Sequence, residues 1–324
     1  MGRPIQALIL SDIHYACAEE KKRVNYEVNA IANPRVRTFV KLFRHYIWLR
    51  DPFAHNHLLD AVLAHPGHPD LVVANGDFSC DSGFIGVSEP AAQQSAREAL
   101  QKLRHRFGPA FHATFGDHEL GKRSLDGKSG GLRLASFDAA QSELGLEPFW
   151  TKRIGRYLLI GVTSTLIAFP VYAPEALAEE IEGWKRLREK HLAQIAAVFS
   201  TLEKNDRALL FCHDPTALPY LWELPEVQAA APRIEKTIIG HLHTQLIWTK
   251  SLLLAGMPSI SFMGGSIRRM SRALHRARDW RPFKVLLCPS LTGSELLKDG
   301  GYYTARLDPS GIDPAVFRFH PLPR

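Results

Sequence analysis

Leu8-Ile9-Leu10-Ser11-Asp12-Ile13-His14 is the stretch that decides the fold. An apolar run leads to a carboxylate and an imidazole two residues apart. We read it as a buried strand that delivers two polar side chains to a sheet's C-terminal edge. Asp-x-His alone is common by chance. Its weight comes from the pieces that follow in order: Gly76-Asp77, Gly116-Asp117-His118-Glu119, His213, and Gly240-His241-Leu242-His243.

Further apolar runs read as strands: Leu71–Ala74, Ala110–Phe115, Tyr157–Val162, Ala208–Cys212, Thr237–Ile239, Val285–Cys288 and Tyr302–Leu307. Several lack alternation, as expected of strands covered on both faces. Helical patterns lie between them, at Ala54–Ala64, at Ala91–Phe107 and from about Pro174 to Leu202. Strands alternating with helices predict an α/β domain. No repeat, low-complexity tract or Gly/Ser linker divides the chain, so a single domain over 1–324 is expected. Asp12, Asp77, Asp117, His213 and His241 each fall at or just beyond a strand's end, where ligands of open α/β sheets gather. Each alone has a bland reading as a turn residue, loop carboxylate or buried histidine. The ordered set predicts one shared metal site.

The 324 residues are 45% hydrophobic and 23% charged, an ordinary globular composition with enough chain for a large core. The net charge of +7 suits an anionic partner or substrate. Cys17, Cys80, Cys212 and Cys288 show no paired spacing. That argues against a disulfide framework or structural zinc and for a reducing compartment. No signal peptide is visible, and no run approaches the ~20 apolar residues that span a bilayer. The expectation is a soluble cytoplasmic protein, at most peripheral to a membrane.

Carboxylates and neutral imidazoles suit Mn, Fe, Zn or Co without choosing sharply among them. Two such ions about 3.5–4 Å apart can hold a water or hydroxide and clamp a phosphoryl oxygen. One carboxylate must then bridge them. His241 and His243, two residues apart, point to the same side of an extended chain and can serve different ions.

The order Asp-x-His, Gly-Asp, Gly-Asp-His-Glu, His, Gly-His-x-His resembles the calcineurin-like metallophosphoesterase superfamily. The resemblance runs from Asp12 to His243. It implies a four-layer αββα sandwich with two central mixed sheets. It implies that Asp12, His14, Asp77 and His243 hold one divalent ion, Mn being favoured. Asp77 would bridge to a second ion held by Asp117, His213 and His241. It implies that His118 is no ligand but faces the substrate phosphate and assists the leaving group.

Two departures stand out. The family usually has Asn at Asp117. A charged oxygen there should keep or tighten metal binding, lessen the ion's Lewis acidity and favour protonated His118. Many members also carry an acid three positions after the Gly-Asp aspartate, where it orients the catalytic histidine. Here that position is Cys80 and the acid is Asp81, which either does this job from a shifted turn or caps the next segment. Glu119 either supports His118 or starts a helix. Cys80 and Cys212 read as small buried residues beside the ligands.

Two basic stretches bear on the substrate. Arg35 to Asp51 reads as an amphipathic helix, part of a helical insertion near 33–52. Val36, Phe39, Val40, Phe43 and Ile47 share one face, with Arg37, Lys41 and Arg44 on the other. It suits an anionic membrane surface or a lipid-accepting groove, or it packs on the sandwich with its charges in water. A second insertion near 264–284 also reads as a helix, whose Arg268, Arg269 and Arg272 are candidates to grip a phosphate at the site mouth. Thr163 to Pro174 reads as a lid wall or a covered loop.

These features predict hydrolysis of a phosphodiester or pyrophosphate with a bulky, anionic or lipid-linked portion. Superfamily pyrophosphatases that cleave UDP-diacylglucosamine share the metal pattern and use inserted helices. Alternatives are a cyclic-nucleotide phosphodiesterase, a phosphomonoesterase or protein phosphatase, and a non-catalytic metal-binding scaffold. Nucleic acid ranks lower, because no stacking platform accompanies the arginines. Oligomeric state is not legible.

Overall fold

The computed structural model describes residues 3–124, 127–258 and 271–323. Among these residues, ten strands form two five-stranded mixed sheets flanked by helices, a layered α/β sandwich. The first sheet has the order β10 (Val316–Pro321), β9 (Gly301–Leu307), β1 (Ile5–Leu10), β2 (Leu71–Asn75), β3 (Phe111–Thr114). The second runs β4 (Phe149–Ile154), β5 (Tyr157–Val162), β6 (Arg207–Cys212), β7 (Ile234–Ile239), β8 (Val285–Leu287). Strands β1 to β3 are parallel, as are β5 to β8; β9, β10 and β4 add antiparallel edges.

The period of two divides each strand between two cores. Ala7, Ile9, Leu71 and Val73 face Leu159, Leu209, Phe211 and Ile238 in a core between the sheets. Leu8, Leu10, Val72 and Ala74 face outward onto a larger core that includes Leu58, Leu59, Leu100 and Leu103 from flanking helices. Both faces are therefore dry, which is why β1, β2 and β5 to β7 read as continuous apolar runs. The missed strands β4 and β10 are edges whose exposed positions carry Thr151, Lys152, Arg153 and Arg318, so neither looks like a buried run.

Helix boundaries follow their caps. Helix Pro90–Phe107 starts where the Glu89 carboxylate accepts from the Ala92 N–H and stops at Gly108. Helix Pro34–Tyr46 starts where Asn33 accepts from the N–H groups of Arg35 and Val36, with Pro34 in its first turn. It ends before Ile47, because Trp48 and Ile47 turn to pair their carbonyls with the N–H groups of Glu295 and Leu296. The long helix expected from Pro174 begins only at Ile181 and runs to Ser200. The residues before it form single 3-10 turns, where Glu175 is buried and its carbonyl accepts from the Leu132 N–H. Thr163 to Pro174 is a covered segment: Leu166, Ile167, Phe169 and Tyr172 are all buried in the outer core.

Helix Ile181–Ser200 reaches the end of β5 through His191, whose Nε2 accepts from the Thr163 N–H at 3.1 Å. Burial pushes this imidazole down to about 3. The unfolded chain, with an ordinary value near ~6.5, takes up this proton first. The contribution is therefore full above about pH 6.5 and is lost as pH falls toward 3. His191→Gln keeps an acceptor without the titration. Urea unfolding should show the wild type losing more stability than this variant between pH 6.5 and 4; parallel losses would refute the assignment.

Candidate metal centre

Every sequence-selected Asp and His after Leu10 sits where a strand gives way to a loop. The first sheet brings Asp12 and His14 after β1, Asp77 after β2 and Asp117 after β3. The second brings His213 after β6 and His241 and His243 after β7. Loop-to-loop bonds extend the strand pairing: Asp12 N to Gly76 O, His14 N to Asp77 O, and Gly240 N to His213 O. Gly116 is required by space, since a Cβ there would overlap the Asp77 carboxylate and backbone. Asp12, His14, Asp77, His241 and His243 all adopt left-handed backbone with φ between 47° and 59°. Such conformations each cost on the order of 1–3 kcal/mol and persist where surrounding bonds impose them.

The side chains converge in two groups that share Asp77. Asp12, His14, Asp77 and His243 each offer an atom within 4.8 Å of the others, as do Asp77, Asp117, His213 and His241. Asp12 Oδ1 lies 3.1 Å from His243 Nε2, which lies 3.2 Å from His14 Nε2. His213 Nε2 lies 3.1 Å from Asp77 Oδ2 and 3.4 Å from Asp117 Oδ1. His241 Nδ1 lies 2.8 Å from Asp117 Oδ1.

The backbone sets the tautomers. His14 Nδ1 faces Ser79 O at 3.2 Å and His213 Nδ1 faces Asn75 O at 2.5 Å. A carbonyl only accepts, so both Nδ1 atoms carry hydrogen and both Nε2 lone pairs point inward. Asp77 Oδ2 and His213 Nε2 are buried and face each other at 3.1 Å, with no other hydrogen-bond partner among the described residues. Asp12, Asp77 and Asp117 are 1%, 0% and 4% exposed. Burial opposes their ionisation, yet the surrounding histidines hold all three below the usual carboxylate range. Burial likewise opposes charge on His213, but Asp77 and Asp12 raise it well above an ordinary imidazole. The site draws in positive charge. Imidazole nitrogens and buried carboxylate oxygens that all turn inward on one another fit two divalent cations.

The supporting residues differ from expectation. Asp81 does not bond His118. Its Oδ1 accepts from the Gly86 N–H at 2.9 Å, the capping option. Glu119 also leaves His118 alone. Its carboxylate accepts from the N–H groups of Gly116, Asp77 and Phe78 at 2.7, 3.0 and 2.8 Å, and so ties the β2 and β3 loops together from within the one-turn helix Asp117–Leu120. Cys80 and Cys212 are buried thiols, raised by burial. Arg268 and Arg269 lie outside the described residues. Arg272 is exposed and lines a separate cleft with Thr216 and Tyr220. Its segment is drawn there because Leu274 and Ala277 are buried and Arg276 binds Pro219 O.

Three contributors were not foreseen. Lys122 Nζ lies 2.7 Å from His118 Nε2. His118 Nδ1 donates to Ser79 O at 3.0 Å, so its Nε2 accepts from the ammonium. Burial pushes His118 down to about 4, with Lys122 adding to the effect. The expected protonating influence of Asp117 is present but is outweighed. Asp214 lies 3.8 Å from His241 Nε2 and accepts from Tyr172 OH and the Thr216 N–H. Burial opposes charge on His241, but Asp214 and Asp117 raise it to about 9. Trp48 stacks on His243 with ring centres 5.1 Å apart. The Gly-Asp-His-Glu motif carried a faint signal for Lys122, four residues past His118; Trp48 was legible as an aromatic of a membrane- or lipid-facing stretch but not as a partner of His243, and Asp214 carried no signal that names a role.

The groups open into a cleft of about 460 Å³. One wall is apolar, with Val40, Phe43, Trp48, Leu49 and Ile247. Arg44, Lys122 and Arg123 are its cations. Arg44, expected in water, is buried and paired with Glu27, which also lies 3.5 Å from Lys122.

No family model matches the chain, and no curated protein matches it. Among solved structures, the chain is similar in fold to a dimetal phosphatase from Danio rerio. The TM-score is 0.51 at 14% identity, over 98% of this chain and 96% of that one. Two weaker likenesses carry nothing further. One is GAP50, the anchor in the inner membrane complex of Plasmodium, with TM-score 0.46, 12% identity and coverage of 98% and 84%. The other is a phosphopantetheinyl hydrolase from Mycobacterium tuberculosis, with TM-score 0.36, 14% identity and coverage of 87% and 93%.

Because Asp77 belongs to both groups, Asp77→Ala should deplete both metal equivalents. Asp12→Ala and His213→Ala should each deplete chiefly one. Elemental analysis after dialysis measures this. Equal loss in all three variants would contradict a shared Asp77.

Proposed function

We propose that the chain is a two-metal phosphoester hydrolase of the calcineurin-like kind. Asp12, His14, Asp77 and His243 hold one ion, and Asp77, Asp117, His213 and His241 hold the other. The observation that carries this reading is the pair of Asp/His groups joined by one carboxylate and opening on a cleft lined by Arg44, Lys122 and Arg123. When bound, two such ions activate water and neutralise charge on a phosphoryl group. Mn is the metal we favour, one of several ions, with Fe, Zn and Co, that mixed O/N donors accept.

The chain's own residues supply the rest. His118 lines the cleft with its Nε2 hydrogen-bonded to Lys122. Lys122 passes a proton to His118 Nε2, and that same Nε2–H gives it to the departing oxygen, leaving the Lys122 amine neutral until water reprotonates it. Arg44 and Arg123 offset charge on the rest of the substrate. The apolar wall, with Trp48 fixed against His243, takes a bulky apolar group and excludes water. A phosphodiester or pyrophosphate with such a group, UDP-diacylglucosamine-like in character, fits this division better than a small monoester. We place the protein in the cytoplasm, on the strength of its unpaired cysteines.

The test is hydrolysis of bis(p-nitrophenyl) phosphate with added Mn. His118→Ala should lower kcat by about 10²–10⁴-fold on a diester with an alkyl leaving group, and far less on bis(p-nitrophenyl) phosphate. Lys122→Met should slow diesters with alkyl leaving groups far more than those with p-nitrophenol, which departs without a proton. Equal slowing of both would refute the proton role, and turnover that survives Asp77→Ala would refute the hydrolase.

A further inference from the structure

Helix Pro34–Tyr46 presents its apolar residues to solvent. Val36, Phe39, Leu42 and Tyr46 are 47%, 68%, 53% and 64% exposed. Of the two arrangements the sequence allowed, the packed one, apolar face in and basic face out, is partly inverted. Arg44 is buried, and Arg37 donates back to Ile31 O. A second exposed apolar set, Leu246 and Leu252 to Leu254, lies on and just after helix Gln245–Leu253, whose Ile247 lines the catalytic cleft. A third is Leu296 and Leu297.

These segments are neighbours. Leu296 N donates to Ile47 O and Glu295 N to Trp48 O. Asp299 accepts from Thr244 Oγ1 and Gln245 N. Among the described residues, ten of the fourteen exposed large hydrophobic side chains lie on these three segments around the cleft. Exposed apolar side chains gathered on neighbouring segments in this way mark an interaction face.

Charge says what covers it. Beside the same helix lies a cleft of about 720 Å³ that shares Tyr26, Glu27, Arg44 and Pro52 with the catalytic one. It is lined by Lys21, Lys41, His45 and Arg50. Its two acids are engaged, Glu27 by Arg44 and Lys122 and Asp51 by the Phe53 N–H. Lys21, Lys41 and Arg50 have no ion-pair partner among the described residues. Apolar side chains interleaved with unpaired cations match an anionic lipid surface, where acyl chains take the former and phosphates the latter.

We infer that this face docks on an anionic bilayer, with helix Pro34–Tyr46 lying in the interface and the Lys41–Arg50 cleft holding lipid phosphate. No helix among the described residues is long and apolar enough to cross a membrane, so the contact is peripheral. The docking needs no catalysis. That the catalytic cleft then meets a bilayer-borne phosphoester rests on the hydrolase reading.

Sedimentation with vesicles of phosphatidylcholine, alone or mixed with phosphatidylglycerol, tests this. The metal-loaded protein should pellet with the anionic vesicles at least about tenfold more than with neutral ones. Phe39→Ser with Leu42→Ser should lower pelleting on anionic vesicles, and Lys41→Glu with Arg50→Glu should abolish the preference for them. Both pairs should keep the wild-type circular dichroism and bis(p-nitrophenyl) phosphate turnover. Free glycerol phosphate that displaces bound protein would identify the headgroup phosphate as the cleft's ligand. Equal partitioning to both vesicles, or variants that pellet like wild type, would overturn the inference. So would a wild-type dimer in solution that the Phe39 and Leu42 changes split, which would make the face a self-interface. Vesicle binding without any diester turnover would strike the hydrolase reading alone.

Discussion

Three carboxylates buried within one small volume are the constraint on which the structure depends. Asp12, Asp77 and Asp117 stay ionised only because positive charge collects between them. In the metal-free chain the histidines must provide it, and His213 and His241 are raised accordingly. Buried like charges cost several kcal/mol unless compensated. Divalent cations compensate them directly. The left-handed turns at the donors, the crowding of Gly116 against Asp77 and the three bonds to Glu119 all hold donors that repel one another.

The two sheets divide the labour. The first contributes all three carboxylates and His14; the second contributes only histidines. Anionic and neutral donors therefore meet across the sandwich, and the inner core that joins the sheets sets their spacing. Substitutions at Ile9, Val73, Leu209 or Phe211 should disturb the site through that spacing as well as through stability.

Much of this was legible in the chain. Strands dry on both faces announce themselves as apolar runs, and a charged or imidazole residue at the end of such a run has few reasons to be there. Edges were less legible: β4 and β10 carry polar side chains, and their pairing depends on partners distant in sequence. Trp48 reaches His243 only because the chain after Tyr46 leaves the helix to pair with Glu295. The helical period of residues 35–47 showed that an apolar face existed but not that solvent would meet it. Arg272 was placed at the mouth by proximity in sequence, whereas Leu274 and Ala277 anchor its segment elsewhere.

The central claim is that Asp77 stands between two cations. Anomalous diffraction from crystals grown with Mn tests it most directly. Two peaks about 3.5–4 Å apart, one on each side of the Asp77 carboxylate, are the expected result. A single peak, or two peaks that Asp77 does not join, would contradict it.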